Sequence, residues 1–111
     1  MVYLGSDATG ASNTGPSTGE QGFLAYYEIC QKINEGWTVV QDSDMVSPYA
    51  YGDGQWVGYE NIQSLTHRCG IINDMNLAGV MFWDTSLDDT KGQFCGQGEF
   101  PLISLFKTCL Q

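Results

Sequence analysis

The sequence predicts an α/β fold, and three consecutive features carry that expectation. They are an amphipathic helical stretch between Glu60 and Asn76, a continuously apolar run from Leu77 to Trp83, and a second amphipathic helix opened by Pro101. In the first stretch Ile62, Leu65, Cys69 and Ile72 recur at the spacing of three and four that aligns side chains on one helical face. The run LAGVMFW has no polar face to give to water, the pattern of a strand covered on both sides in a parallel sheet. Pro101 suits the first position of a helix, where its missing N–H is not needed, and Leu102, Leu105, Phe106 and Cys109 mark the apolar stripe. Helix, buried strand and helix in that order are the β/α grammar of a barrel or a doubly wound sheet.

The earlier elements follow in chain order. Gly5 to Gly22 is punctuated by Gly, Ser, Thr and Pro16 and reads as a loop. Leu24 to Cys30 is an apolar and aromatic run short enough to be a strand or a helical turn. Trp37 to Val40 is β-prone and precedes the acidic turn residues Asp42 and Asp44. Tyr49–Tyr51 and Gln55–Val57 flank Gly52-Asp53-Gly54, whose glycines accept positive φ, so this stretch predicts a hairpin. Asp84 to Glu99 is a Gly- and Asp-rich loop. No repeat and no interdomain linker is present, and the single buried strand has no candidate neighbour within the chain.

Composition narrows the function classes. Of 111 residues 13 are acidic and four are Lys or Arg, a formal net charge of -9. A nucleic-acid backbone or an anionic membrane surface needs cationic side chains to displace counterions, so neither partner is expected. No apolar run approaches the roughly 20 residues of a bilayer span. Met1 to Gly15 lacks the basic start and apolar block of a secretion signal, whereas four cysteines suit an oxidising compartment. Together these suggest a chain cut from a longer secreted protein. The alternative is four buried, reduced cysteines in the cytosol. No Cys-x-x-Cys pair occurs and His67 stands alone, so neither a metal nor a cofactor is expected.

Three stretches then resemble chitinases and chitinase-like lectins of glycoside hydrolase family 18. They are Gly22 to Cys30 (GFLAYYEIC), Pro48 to Tyr51 with Gln55 to Tyr59, and Ala78 to Trp83 followed by Leu87-Asp88-Asp89 and Phe94 to Gly98 before Pro101-Leu102-Ile103. The resemblance implies the C-terminal portion of a (β/α)8 TIM barrel with part of its α+β insertion domain. Residues 1–59 would be the latter part of the insertion. Residues 60–111 would be the seventh helix, eighth strand and eighth helix, with the remainder of the parent barrel as partner. The family's Asp-x-x-Asp-x-Asp-x-Glu motif, whose Glu is the general acid, occurs nowhere in the chain. No catalytic residue is therefore assigned, and the chain by itself is expected to be inactive.

By that resemblance Trp83 would floor the sugar pocket and Met81 would line it, because strand alternation puts both on one face and Val80 and Phe82 on the other. The competing reading of Trp83 is a ring that fills core. Glu20 and Phe23 stand where the family has a Glu-Gly-Gly-Met stretch over the groove; without that context a Glu in a Gly-rich loop is simply solvated. Ser86 occupies a position usually acidic in the family, and Asp84 one usually small or apolar. Glu28, Asp88 and Asp89 are read as scaffolding. Trp37, Tyr49, Tyr51, Trp56 and Tyr59 are read as hairpin packing, with a carbohydrate platform as the alternative. The family pairs Cys30 with Cys95, while Cys69 and Cys109 would be a second pair or two inert thiols. The implied ligand is chitin or N-acetylglucosamine oligosaccharide, bound by an enzyme when whole or by a lectin. An independent α+β disulfide domain without a sugar role is the third class.

Overall fold

Residues 38–58 carry the β-prone side chains Thr38, Val39, Val40, Tyr49, Tyr51, Trp56 and Val57 in three short stretches. In the computed structural model, which describes residues 3–111, these form an antiparallel meander of β1 (Thr38–Asp42), β2 (Ser47–Gly52) and β3 (Gln55–Gly58). Met1 and Val2, which open both the stretch lacking a secretion signal and the 1–59 segment, lie outside the described residues. The register pairs Val40 with Tyr49, Ala50 with Val57 and Tyr51 with Trp56. Asp53 and Gly54 make the two-residue hairpin loop with φ of 52° and 71°, the left-handed geometry whose twist matches the strands.

The apolar run after Phe23 is a helix, not a strand: α1 spans Tyr26–Asn34 and packs on β2. Alternation puts Pro48, Ala50 and Gly52 on one face of β2. Ala50 is fully buried, and the Trp37 ring lies where a Cβ on Gly52 would point, 2.7 Å from its Nε1. Trp37 also donates Nε1–H to Asp53 at 3.0 Å. On the opposite face Tyr49 stacks between Tyr51 and Trp56, with ring centroids 6.4 and 5.6 Å apart. Both arrangements use these rings as packing.

The expected helices are present as α2 (Ile62–Asp74) and α3 (Pro101–Cys109), with Pro101 in the first turn. Asn61 opens α2 as a reciprocal cap, accepting from Ser64 N–H at 2.8 Å while Ser64 Oγ accepts from Asn61 N–H at 2.9 Å. The two helices pack together and are joined by the disulfide Cys69–Cys109; Cys30–Cys95 joins α1 to the loop before α3. The readings of reduced thiols and of inert Cys69 and Cys109 therefore give way to two bridges. No described helix is long and apolar enough to cross a membrane.

The run from Leu77 to Trp83 differs from its expectation. It is not a strand but an unpaired extended segment, with Leu77, Val80, Met81 and Trp83 exposed. A strand exists only through backbone hydrogen bonds to a neighbour, and the chain's strands are already committed to their own meander. What the described residues form is thus α+β, with no parallel barrel strands among them. The core is correspondingly thin, centred on Ala25, Ile29, Tyr49, Ala50 and Phe106. The radius of gyration is 14.6 Å, against about 13 Å for a compact domain of 100 residues.

Candidate functional site

Within the unpaired 77–83 segment the expected alternation holds for Phe82 against Met81 and Trp83, whereas Val80, expected on the Phe82 face, is exposed. Phe82 turns inward and meets the Phe106 ring of α3 edge-on at 5.5 Å. Its neighbours Met81 and Trp83 point the other way and are 78% and 86% exposed. Both residues of the predicted pair are thus bare among the described residues.

The chain beyond Trp83 is held by carboxylates. Asp84 caps the 3-10 turn Thr85–Leu87 through Ser86 N–H at 2.8 Å and also accepts from the Ser86 hydroxyl. Asp88 is buried and accepts the N–H groups of Leu102 and Ile103 at 3.1 and 3.0 Å, satisfying the first turn of α3 from outside the helix. Asp89, also buried, gathers the N–H groups of Gln93, Phe94 and Cys95 at 3.2, 3.1 and 2.9 Å, folding the loop that carries the disulfide. Both carboxylates therefore serve as hydrogen-bond acceptors for the backbone around them.

Glu20 and Phe23 stand at the tip of the N-terminal loop, both exposed, with Phe23 N–H bonded to Glu20 O at 3.3 Å. Beneath them Glu28 is fully buried at the third position of α1. Burial pushes its pKa up. Hydrogen bonds from Ala25, Ser17 and Thr18 outweigh that and hold it below the ordinary carboxylate value. Tyr26 and Tyr59 titrate above the usual phenol value because they are partly buried.

The structure thus groups Met81 with Trp83, and Glu20 with Phe23. Among the described residues no hydrogen bond or ring contact joins one pair to the other. Two cavities lie elsewhere. One of 320 Å³ is lined by Asn13, Lys32, Trp37 and Trp56, and one of 390 Å³ by Met45, Tyr49, Trp56 and Tyr59. What sequence reasoning missed is the reach of the scaffolding acids. Glu28 follows Ala25, which lacks the capping side chain that would signal a helix start, and nothing local shows that it also holds Ser17 and Thr18.

Comparison with known proteins adds the following. The family model for Glycosyl hydrolases family 18 matches residues 1–88. Human chitinase-3-like protein 2 is 39% identical over 107 residues, which cover 96% of this chain and 27% of that protein. The structure of human YKL-39, described as a pseudo-chitinase with retained chitooligosaccharide binding properties, superposes with a TM-score of 0.90 at 37% identity, covering 96% of this chain and 29% of that one. The immunomodulatory active chitinase TsES1 of Trichuris suis superposes with a TM-score of 0.95 at 32% identity, covering 98% of this chain and 30% of that one. The chain thus spans between a quarter and a third of the length of these similar proteins.

Proposed function

The chain belongs to glycosyl hydrolase family 18, and on that basis we propose that it is the C-terminal part of a chitinase-type domain that binds β-1,4-linked N-acetylglucosamine oligosaccharides. Residues 1–59 are then the latter part of the α+β insertion, and residues 60–111 the last helix, strand and helix of a (β/α)8 barrel. The remainder of that barrel is the partner that the unpaired run 77–83 lacks. Once paired, the run becomes a strand whose Met81 and Trp83 face the barrel mouth, where active sites of this architecture lie.

One observation carries the reading. Met81 and Trp83 are bared side by side while Phe82 between them is packed. A flat indole at an open face suits the apolar C–H faces of a sugar ring, and Glu20 and Phe23 supply a carboxylate and a second ring for the groove lip. Oligosaccharide binding by the similar YKL-39 supports the ligand class. The two disulfides support a secreted, extracellular setting, and the net charge of -9 argues against nucleic acid or an anionic membrane as partner.

With the family's catalytic segment present the domain hydrolyses chitin; without its Glu it is a chitin-binding lectin. The similar structures include one of each kind. Titrating tryptophan fluorescence with N-acetylglucosamine oligomers tests the binding site. We expect saturable binding by the chain no tighter than about 1 mM, lost in Trp83→Ala. Binding unchanged in that variant would remove Trp83 from the site.

A further inference from the structure

The exposed tip Glu20 to Phe23 is anchored by a side chain that no sugar would touch. Glu28 Oε1 accepts the Ala25 N–H at 2.9 Å, and Oε2 accepts those of Ser17 and Thr18 at 3.0 and 3.4 Å. A single buried carboxylate therefore closes both ends of the loop that carries the tip. Among the described residues the ion pairs are Lys32–Glu35 and Arg68–Glu60, so backbone amides rather than a cation balance this charge.

The surroundings are shaped to admit it. Gly15 is buried against the carboxylate, and a Cβ there would overlap Glu28 Oε2 and come within 2.7 Å of Leu24 Cδ2. Gly22 N–H bonds Ser12 O at 3.0 Å, and Thr18 Oγ1 donates to Phe23 O at 3.5 Å, so the tip inherits its position from the clamped base. A Glu serving only its own helix would need Ala25 alone. Ser17 and Thr18 are not part of α1 and lie at the far end of the loop.

We propose that Glu28 is the positioning residue of the groove lip: its carboxylate, through the amides of Ser17, Thr18 and Ala25, holds Glu20 and Phe23 where a sugar chain meets them. The geometry stands by itself, while the ligand rests on the sugar-binding reading above. In Glu28→Gln the side chain keeps its shape but offers one oxygen and turns an NH2 group toward amide donors, so one end of the loop must let go.

The test combines hydrogen–deuterium exchange, read by mass spectrometry on peptides covering residues 12–25, with titration by N-acetylglucosamine tetramer in the intact protein. Glu28→Gln should speed exchange at residues 17–25 by about tenfold, as for loss of one hydrogen bond to a charged group, and leave the hairpin and α3 unchanged. Tetramer affinity should fall several-fold, in the same direction as in Glu20→Gln and Phe23→Ala. Gly15→Ala, whose methyl would displace the Glu28 carboxylate without removing its charge, should give both changes by a second route, and unchanged exchange in the hairpin and α3 shows that either variant is folded. Unchanged exchange in both variants overturns the proposal. So does faster exchange with undiminished affinity while the tip variants weaken binding. A tetramer affinity indifferent to the tip variants instead overturns the groove reading, and exchange alone then decides whether Glu28 holds the loop.

Discussion

Glu28 shows how a single acid can carry stability with no ion-pair partner among the described residues. Its folded pKa lies below the ordinary carboxylate value because the amide donors outweigh the effect of burial. A depressed carboxyl contributes stability that is present above its unfolded pKa and lost as pH falls through its folded one. Urea denaturation should therefore show wild type and Glu28→Gln differing most near neutrality and converging in acid. A difference that grows on acidification would contradict that sign. At Gly52 the constraint is steric, since an added methyl would press on the Trp37 ring from 2.5 Å. Gly52→Ala is expected to cost about 1–3 kcal/mol by overpacking, read from thermal unfolding.

Among the elements, α3 depends on a partner outside itself. Asp88 satisfies the N–H groups of Leu102 and Ile103, and it is buried. Asp88→Ala removes a cap worth about 0.5–2 kcal/mol, and the exchange of those two amides should accelerate before any in β2. The disulfides act on longer loops. Cys30–Cys95 closes a separation of 65 residues and Cys69–Cys109 one of 40. In the chain-entropy account each constrains the unfolded chain by about 4 kcal/mol. Peptide mapping without reductant should recover both linkages, and a Cys30 to Cys69 link would contradict the fold.

For the molecule as a whole, the exposed strip from Met75 to Trp83 sets the solution behaviour. Met75, Leu77, Met81 and Trp83 are each at least half exposed, and residues 77–83 pair with no strand among the described residues. Surfaces of that kind recruit partners or aggregate. By itself the chain is expected to self-associate, with a broad melt; a monodisperse monomer with a sharp transition would favour the independent-domain alternative. Purified chain should show no chitin hydrolysis above background at any pH. The acids resolved near Trp83 are engaged otherwise: Asp84 with the 3-10 turn, Asp88 and Asp89 with backbone amides. A general acid needs reach to the glycosidic oxygen and a raised pKa.

The hairpin, α2 and α3 were legible in the sequence because their signals are local: the Asp53-Gly54 turn, a 3.6-residue period and Pro101 each act over a few residues. The alternation holds only over residues 81–83, where Phe82 packs and Met81 and Trp83 do not, while Val80 departs from it. Motif likeness placed the chain in its family, although no short-range rule did so. Only tertiary structure decided that Leu24 to Cys30 continues into a helix on β2, and that residues 77–83 stand unpaired. It also decided that Glu28, Asp88 and Asp89 bind amides up to 15 residues away. Strand pairing and buried charge are both settled by which groups arrive opposite them, and that depends on the path of the whole chain rather than on any window of it.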